Sequence, residues 1–90
     1  MSKYRITPSK RAERQLKKLK NQEIEGRILD LLEAIEANPR VGIGRPKNLL
    51  WRDIETWSRR IDAKNRIVYE IDEDRKIIYL ISITGHYWDK

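Results

Sequence analysis

Three segments with the residue alternation of β-strands follow one another in the C-terminal half of this 90-residue chain. They are Thr56–Ile61, Arg66–Ile71 and Lys76–Ile83, and they constrain the fold more than any other feature. Two short polar segments with the composition of turns connect them, Asp62–Asn65 and Asp72–Arg75. The third segment is the most apolar run of the chain, which predicts a central, well-covered strand. The pattern therefore predicts a twisted antiparallel sheet.

A short strand and a helix are predicted at the N-terminus. Lys3–Thr7 alternates around two apolar side chains. Thr7 is expected to be the N-cap of the first helix and Pro8 its first residue, where a missing N–H costs nothing. The apolar stripe of this helix is narrow and consists of Ala12, Leu16 and Leu19. Such a stripe can pack against a sheet but cannot form a core alone.

A second helix is predicted from about Glu23 to Asn38, because Pro39 disfavours the helical conformation of the residue before it. Its apolar face consists of Ile24, Ile28, Leu31, Leu32 and Ile35. Arg40–Asn48 contains two glycines and a proline and is predicted to be an irregular loop. Residues 1–90 are thus expected to form one α+β domain of order β-α-α-β-β-β, with a helical hairpin packed on the sheet.

Positive charge is unevenly distributed along the chain, whose formal net charge is +6 at pH 7. Lysine and arginine predominate before residue 21 and between residues 40 and 60, whereas residues 23–36 are mainly acidic. Such basic surfaces suit a polyanionic partner, most simply nucleic acid, although they also keep a small protein in solution.

Cysteine is absent, which excludes disulfides and thiolate metal sites. No signal or membrane-spanning pattern is visible, so we expect no membrane association and a cytoplasmic location.

Arginines are concentrated on two strands that are predicted to be neighbours. Alternation places Arg66 on the sheet face opposite the apolar side chains, and it places Arg59 and Arg60 on opposite faces of their strand. One arginine of that pair can therefore join Arg66 in a common patch. Guanidinium groups bind phosphate oxygens bidentately and stay charged. They could equally form ion pairs across strands, for which the available carboxylates are Glu55, Asp62 and Glu70.

His86 is the only histidine and the only side chain that ordinarily exchanges a proton near neutral pH. A single histidine near a C-terminus often has no catalytic role. Tyr87 and Trp88 follow it and could stack on unpaired bases or close the edge of the core.

Four motifs together resemble one family of bacterial toxins. They are Trp57–Ile61 (WSRRI), Asn65–Tyr69 (NRIVY), Gly85–Tyr87 (GHY) and the glycine-rich Gly42–Pro46. In this combination they resemble the YoeB/Txe family of the RelE/ParE superfamily, and the length and order of elements match over the whole chain. The resemblance implies the RelE-like microbial RNase fold and the toxin role in a type II toxin–antitoxin system.

The resemblance also implies an activity and a set of partners. Such toxins are ribosome-dependent endoribonucleases that cleave messenger RNA in the ribosomal A site, by attack of a ribose 2′-hydroxyl and without a metal or other cofactor. A cognate antitoxin inhibits them, operator DNA is bound only through the antitoxin complex, and a homodimer is an option. The expected partners of this chain are accordingly the antitoxin, the ribosome and its messenger RNA.

Residue roles follow from the same resemblance. Arg66 and Arg60 would stabilise charge on the phosphorane, His86 would protonate the leaving 5′-oxygen, and Tyr87 would position the scissile nucleotide. Contacts with RNA are expected from Arg59, Arg45, Lys10 and Lys17.

One position departs from the family pattern. The family typically has a glutamate after the glycine-rich segment, read as the general base, and this chain has Lys47. The base is therefore Lys47, Glu55 or a ribosomal group, and codon preference is not readable from the sequence. Two alternatives follow: a weak or inactive member that acts through antitoxin and operator binding, and a ParE-like gyrase inhibitor.

Overall fold

The computed structural model describes residues 3–83, which form a five-stranded sheet with two helices packed on one face. The strands are β1 (Arg5–Pro8), β2 (Lys47–Asn48), β3 (Thr56–Arg60), β4 (Arg66–Asp72) and β5 (Ile77–Ser82), and the helices are α1 (Lys10–Lys18) and α2 (Gln22–Ala37). Their order across the sheet is β1-β5-β4-β3-β2. The predicted α+β architecture is confirmed, and β5 is a central strand as expected.

The sheet is mixed rather than wholly antiparallel. β2, β3, β4 and β5 pair antiparallel as predicted, but β1 pairs parallel with β5, with Arg5 opposite Ile77. The prediction was wrong for β1 because no tight turn sets the direction of this strand. Two helices follow it, and a long connection of this kind permits a parallel neighbour.

The start of α1 also differs from the prediction. Pro8 is the last residue of β1 and lies opposite Leu80, and Ser9 is the N-cap in place of Thr7. The Ser9 hydroxyl accepts a hydrogen bond from the Ala12 amide at 3.0 Å. β1 lies at an edge of the sheet, where a proline at the strand end removes no hydrogen bond that the sheet needs.

The second helix begins and ends close to the predicted residues. Its N-cap is Asn21, whose side-chain oxygen accepts hydrogen bonds from the amides of Glu23 and Ile24, and its C-cap is Asn38. The core between helices and sheet includes Ala12, Ile28, Leu31, Ile35, Ile67, Tyr69, Ile78 and Leu80. Within residues 3–83, neither helix has the length and apolar character needed to cross a membrane.

A β-hairpin replaces the end of the predicted loop. Lys47 and Asn48 form β2 and pair with Ser58 and Trp57 of β3. The Leu49 amide donates to the Thr56 carbonyl at 2.8 Å, which continues the ladder beyond the strand. The hairpin brings Lys47 into the sheet.

Candidate functional site

The sheet face opposite the helices carries a row of residues in register across four strands. Lys47 lies opposite Ser58, Ser58 opposite Val68, and Val68 opposite Ser82. Directly opposed residues of antiparallel strands project to the same face. All four line a cavity of about 630 Å³, a size typical of ligand sites.

A β-bulge turns Ser82 towards this cavity. Tyr69 lies opposite Leu80 but Val68 lies opposite Ser82, so β5 takes two residue steps where β4 takes one. Alternation alone would place Ser82 on the same face as Leu80, which belongs to the core. The bulge reverses that phase, and bulges re-aim side chains in this way. The Ser82 hydroxyl is buried and has no hydrogen-bond partner among the residues that the structure describes.

The cavity is cationic. Its lining includes Arg11, Lys47, Arg52 and Arg66, and within residues 3–83 no aspartate or glutamate contributes to it. Arg52 pairs with Glu70 at 3.1 Å beside the cavity. A concave surface with one sign of charge concentrates ligands of the opposite sign. The site therefore suits an anionic group.

Arg60 and Arg66 lie directly opposite each other at the end of the β3–β4 pair. Alternation along β3 and β4 puts both on the same face as Ser58 and Val68. Like charges in this arrangement oppose folding. Within residues 3–83 neither arginine makes an ion pair, because the candidate carboxylates are used elsewhere: Glu70 binds Arg52, Glu55 binds Arg40, and Asp62 accepts hydrogen bonds from its own turn. The ion-pair alternative is thus wrong for both.

Arg59, the third arginine of the motif, is fully buried, with 0% of its surface exposed. Its guanidinium donates to the Tyr69 hydroxyl at 3.0 Å. Its other three bonds go to carbonyl oxygens of the loop after α2, those of Asn38, Val41 and Ile43. The expected RNA contact of Arg59 is wrong, because the side chain lies on the helix face and its donors are taken by protein oxygens. Arg59 holds this loop on the sheet.

Both glycines of the loop are required by this packing. Gly42 has φ +133°, and a Cβ there would lie 2.9 Å from Nη1 of Arg59. Gly44 has φ +86°, and a Cβ there would lie 2.6 Å from Cδ2 of Leu31. Positive φ favours glycine. The glycine-rich segment therefore encloses an arginine, and nothing in its geometry indicates a phosphate loop.

Tyr69 completes the buried network around Arg59. Its hydroxyl donates to the Pro39 carbonyl at 2.6 Å while it accepts from Arg59. Burial raises the pKa of the Tyr69 hydroxyl, and the neighbouring guanidinium partly offsets that rise. The hydroxyl stays protonated and keeps its role as a donor.

Glu55 is unsuited to the role of general base. Arg40 binds it through two nitrogens, at 2.8 and 3.0 Å, and Trp57 Nε1 donates to it at 2.9 Å. The bond from Arg40 lowers the pKa of Glu55, which makes the carboxylate a weaker base. Glu55 also lies outside the cavity lining. Of the two protein candidates for the base, only Lys47 lies in the cavity.

The remaining predicted residues are dispersed. Arg45 is exposed on the loop before β2, and Lys10 and Lys17 are exposed on α1, but none of the three lines the cavity. His86 and Tyr87 lie outside the described residues. Within residues 3–83, no group of three or more histidine, aspartate or glutamate side chains could hold a metal ion.

Most of the cavity residues were not predicted as site residues, and four of them are polar or aromatic side chains of particular interest: Arg11, Trp51, Arg52 and Ser82. Arg11 was one of many basic residues on α1, and the bulge that places Ser82 has no signal in the sequence. Trp51 and Arg52 belong to the unusual segment Leu50–Asp53, and this composition was the one available signal.

The fold is shared with solved structures of bacterial and archaeal toxins. The YoeB dimer from Staphylococcus aureus has a TM-score of 0.78 and 31% identity, covering 93% of this chain and 98% of that chain. The heterotetrameric YoeB–YefM toxin–antitoxin complex from the same organism has a TM-score of 0.77 and 30% identity, with the same coverage. The archaeal RelE–RelB complex from Pyrococcus horikoshii OT3 has a TM-score of 0.70 at 18% identity, covering 94% and 97%. The fold is thus the RelE-like fold of small toxins, as predicted.

Sequence comparison narrows this class to one family. The model of the YoeB-like toxin of bacterial type II toxin–antitoxin systems matches residues 12–87. Toxin YoeB of Synechocystis sp. (strain ATCC 27184 / PCC 6803 / Kazusa) is 43% identical over 61 residues, which are 68% of this chain and 69% of that protein. The chain belongs to the YoeB-like toxin family.

Proposed function

We propose that this toxin cleaves messenger RNA in the ribosomal A site. The observation that carries the proposal is the facing pair Arg60 and Arg66, which makes no ion pair within residues 3–83 and adjoins the cationic cavity. Two guanidinium groups that project from the same face of a sheet can stabilise the negative charge that develops on a phosphorane.

The reaction is an internal transfer within the RNA. The ribose 2′-oxygen forms a bond to the adjacent phosphorus, and the bond from phosphorus to the 5′-oxygen breaks, leaving a 2′,3′-cyclic phosphate. Arg60 and Arg66 bind the non-bridging oxygens. His86 protonates the leaving 5′-oxygen and Tyr87 positions the nucleotide, two roles that rest on the family motif. No metal or cofactor takes part in the proposed step.

Lys47 occupies the position at which the family typically has its base. It lies opposite Ser58 and lines the same cavity as Arg66. A protonated lysine cannot accept the 2′-proton, but its charge favours the attacking alkoxide. We propose that Lys47 stabilises the nucleophile and that a ribosomal group removes the proton.

The partners follow from the relatives. The YoeB–YefM complexes and the YoeB dimer from Staphylococcus aureus support a cognate antitoxin of the YefM kind and allow a homodimer. Operator DNA would be bound only through the antitoxin complex. Arg45, Lys10 and Lys17 are exposed cations that can contact ribosomal RNA, whose phosphates attract them in a salt-dependent way. Such a toxin acts in the cytoplasm.

In vitro translation of a defined message on purified ribosomes, with primer extension to map cuts, tests this function. The wild-type chain is compared with Arg66→Ala, His86→Ala and Lys47→Glu. Arg75→Ala is the control, since Arg75 is exposed and pairs with Asp72, outside the cavity. We expect ribosome-dependent cuts from the wild type and from Arg75→Ala, and a loss of roughly 100-fold or more in Arg66→Ala.

Two other outcomes would reject the proposal. Cuts from Lys47→Glu alone would identify an inactivated toxin that acts through its antitoxin, because the change restores the glutamate that the family typically has at this position. Silence from every variant would direct the search to gyrase inhibition.

A further inference from the structure

Trp51 is exposed at the rim of the cationic cavity. Three-quarters of its surface (75%) is accessible, although it lines the cavity together with Lys47 and Arg66. Tryptophan is the largest apolar side chain, and its exposure next to a ligand-sized cavity usually marks a binding function. The proposed reaction, as described above, gives it no role.

The segment that carries Trp51 is held in place. The Leu49 amide donates to the Thr56 carbonyl at 2.8 Å, and the Arg52 amide donates to the Leu49 carbonyl at 3.2 Å. The Arg52 side chain binds Glu70 of β4 at 3.1 Å. These bonds flank Trp51 on both sides and fix the backbone from which it projects. An ordered backbone leaves only the two side-chain torsions of Trp51 to be restricted when a ligand binds, which keeps the entropy cost small.

The surroundings of Trp51 select the kind of ligand. Arg11, Lys47 and Arg66 also line the cavity, and no carboxylate does so within residues 3–83. Ser82 lines it as well, although its hydroxyl oxygen is buried. An indole beside cations is complementary to a nucleotide, which has an aromatic base and an anionic phosphate. A protein partner would supply apolar side chains for Trp51 but would need an unusually acidic segment for the cations.

We propose that Trp51 stacks on an unpaired base of the messenger RNA, next to the phosphodiester that Arg66 and Lys47 bind. The inference rests on the proposed function and adds to it a residue that contacts one base. Stacking requires only an aromatic face, so every base is accepted, but a purine offers the larger surface and is favoured. Trp51 would thus give the toxin a preference for a purine at one position of the message next to the cut.

Cleavage of messages on programmed ribosomes tests the inference. Trp51→Ala and Trp51→Phe are compared with Leu50→Ala, a matched control because Leu50 is 82% exposed and does not line the cavity. Each enzyme is given messages with a purine, a pyrimidine or an abasic site at each position flanking the cut. We expect Trp51→Ala to raise the toxin concentration needed for half-maximal cleavage by roughly 5- to 150-fold, the range for loss of one stacked base. Trp51→Phe should keep most of the wild-type affinity, and Leu50→Ala should behave as wild type.

The abasic messages distinguish stacking from a structural role. At one flanking position, an abasic site should lower the affinity of the wild type for the message as much as the Trp51→Ala substitution does. The same abasic site should not lower the affinity of Trp51→Ala any further. Equal responses of wild type and Trp51→Ala to every message would overturn the inference, and so would a Trp51→Ala effect on binding of the antitoxin alone.

A parallel binding measurement separates the inference from the proposed function. Fluorescence anisotropy of a labelled single-stranded RNA, with a 2′-deoxy sugar at the scissile position, reports binding without cleavage. Weaker binding by Trp51→Ala than by Leu50→Ala supports the stacking role even if the wild type makes no cuts. Equal binding by the two variants together with normal ribosomal cleavage by both overturns the stacking role and leaves the nuclease intact.

Discussion

Gly42 lies so close to Arg59 that a Cβ on the glycine would be 2.9 Å from Nη1 of the arginine. The two residues are 17 positions apart in the sequence. The loop after α2 closes over a buried cation, and its carbonyl oxygens take the place of a carboxylate partner. This arrangement links the glycine-rich loop to the stability of the whole sheet.

Gly42→Ala should destabilise the protein. The alanine combines a positive φ with a contact that the Arg59 guanidinium must relieve, and we expect a loss of about 1–3 kcal/mol in the free energy of unfolding. Urea denaturation followed by circular dichroism measures it. Gly26→Ala is the matched control, since Gly26 lies in α2 with nothing within 4 Å of a new Cβ, and it should stabilise by roughly 0.5–1 kcal/mol. Equal effects at both positions would contradict this account of the loop.

Arg59→Met should be far more damaging than a change at its neighbour. Four hydrogen bonds are lost, and the buried Tyr69 hydroxyl and three loop carbonyl oxygens are left without that donor, which we expect to cost about 3 kcal/mol or more. Arg60→Met alters an exposed side chain and removes one of the two facing cations, so it should leave stability unchanged or raise it by up to about 1 kcal/mol. The midpoints of urea unfolding for the two variants test this difference. Similar midpoints would show that Arg59 does not hold the loop.

Arg66→Gln should stabilise the fold while it reduces cleavage. Removing one of two facing cations relieves their repulsion, by up to about 1 kcal/mol at low salt. The gain should shrink at 1 M salt, where the Debye length falls to about 3 Å. Ribosome-dependent cleavage should fall by roughly 100- to 1,000-fold, because a donor to the phosphorane is lost. Thermal unfolding at two salt concentrations, run beside the cleavage assay, measures both. A destabilised variant would mean that Arg66 has a favourable partner.

Glu73 should make stability fall in acid. Hydrogen bonds from Lys76, Tyr4 and Arg40 lower the pKa of Glu73 to about 2. Since the folded-state pKa lies below the unfolded one of 4.5, the stabilisation is complete above pH 4.5 and is lost as the pH falls towards 2. The stability difference between wild type and Glu73→Gln should therefore be largest near neutral pH and shrink through this window. A difference independent of pH would show that the charge of Glu73 contributes nothing.

Residue alternation and turn composition predicted most of the helices and strands. The arrangement of side chains at the candidate site depends on contacts between residues that are far apart in the sequence. Alternation correctly separated Arg59 from Arg60, but it could not tell which one a loop would cover. That depended on carbonyl groups 16 to 21 residues away in the sequence. The bulge at Ser82 likewise changes the phase of a strand without any change in composition. The parallel direction of β1 escaped prediction because no turn sequence encodes it.

The burial of Arg59 changes how charge should be counted on this toxin. Arg59 never meets solvent and cannot contact a phosphate, so it releases none of the counterions that are condensed on RNA. Each phosphate contact made by an exposed cation such as Arg60 contributes about −0.7 to the slope of log affinity against log salt for single strands. Replacing Arg59 should reduce the fraction of folded protein and leave that slope unchanged. Replacing Arg60 should remove one phosphate contact and so reduce the magnitude of the slope by about 0.7. Of two adjacent arginines, Arg60 thus contributes to the salt dependence of RNA binding, whereas Arg59 contributes only to the stability of the fold.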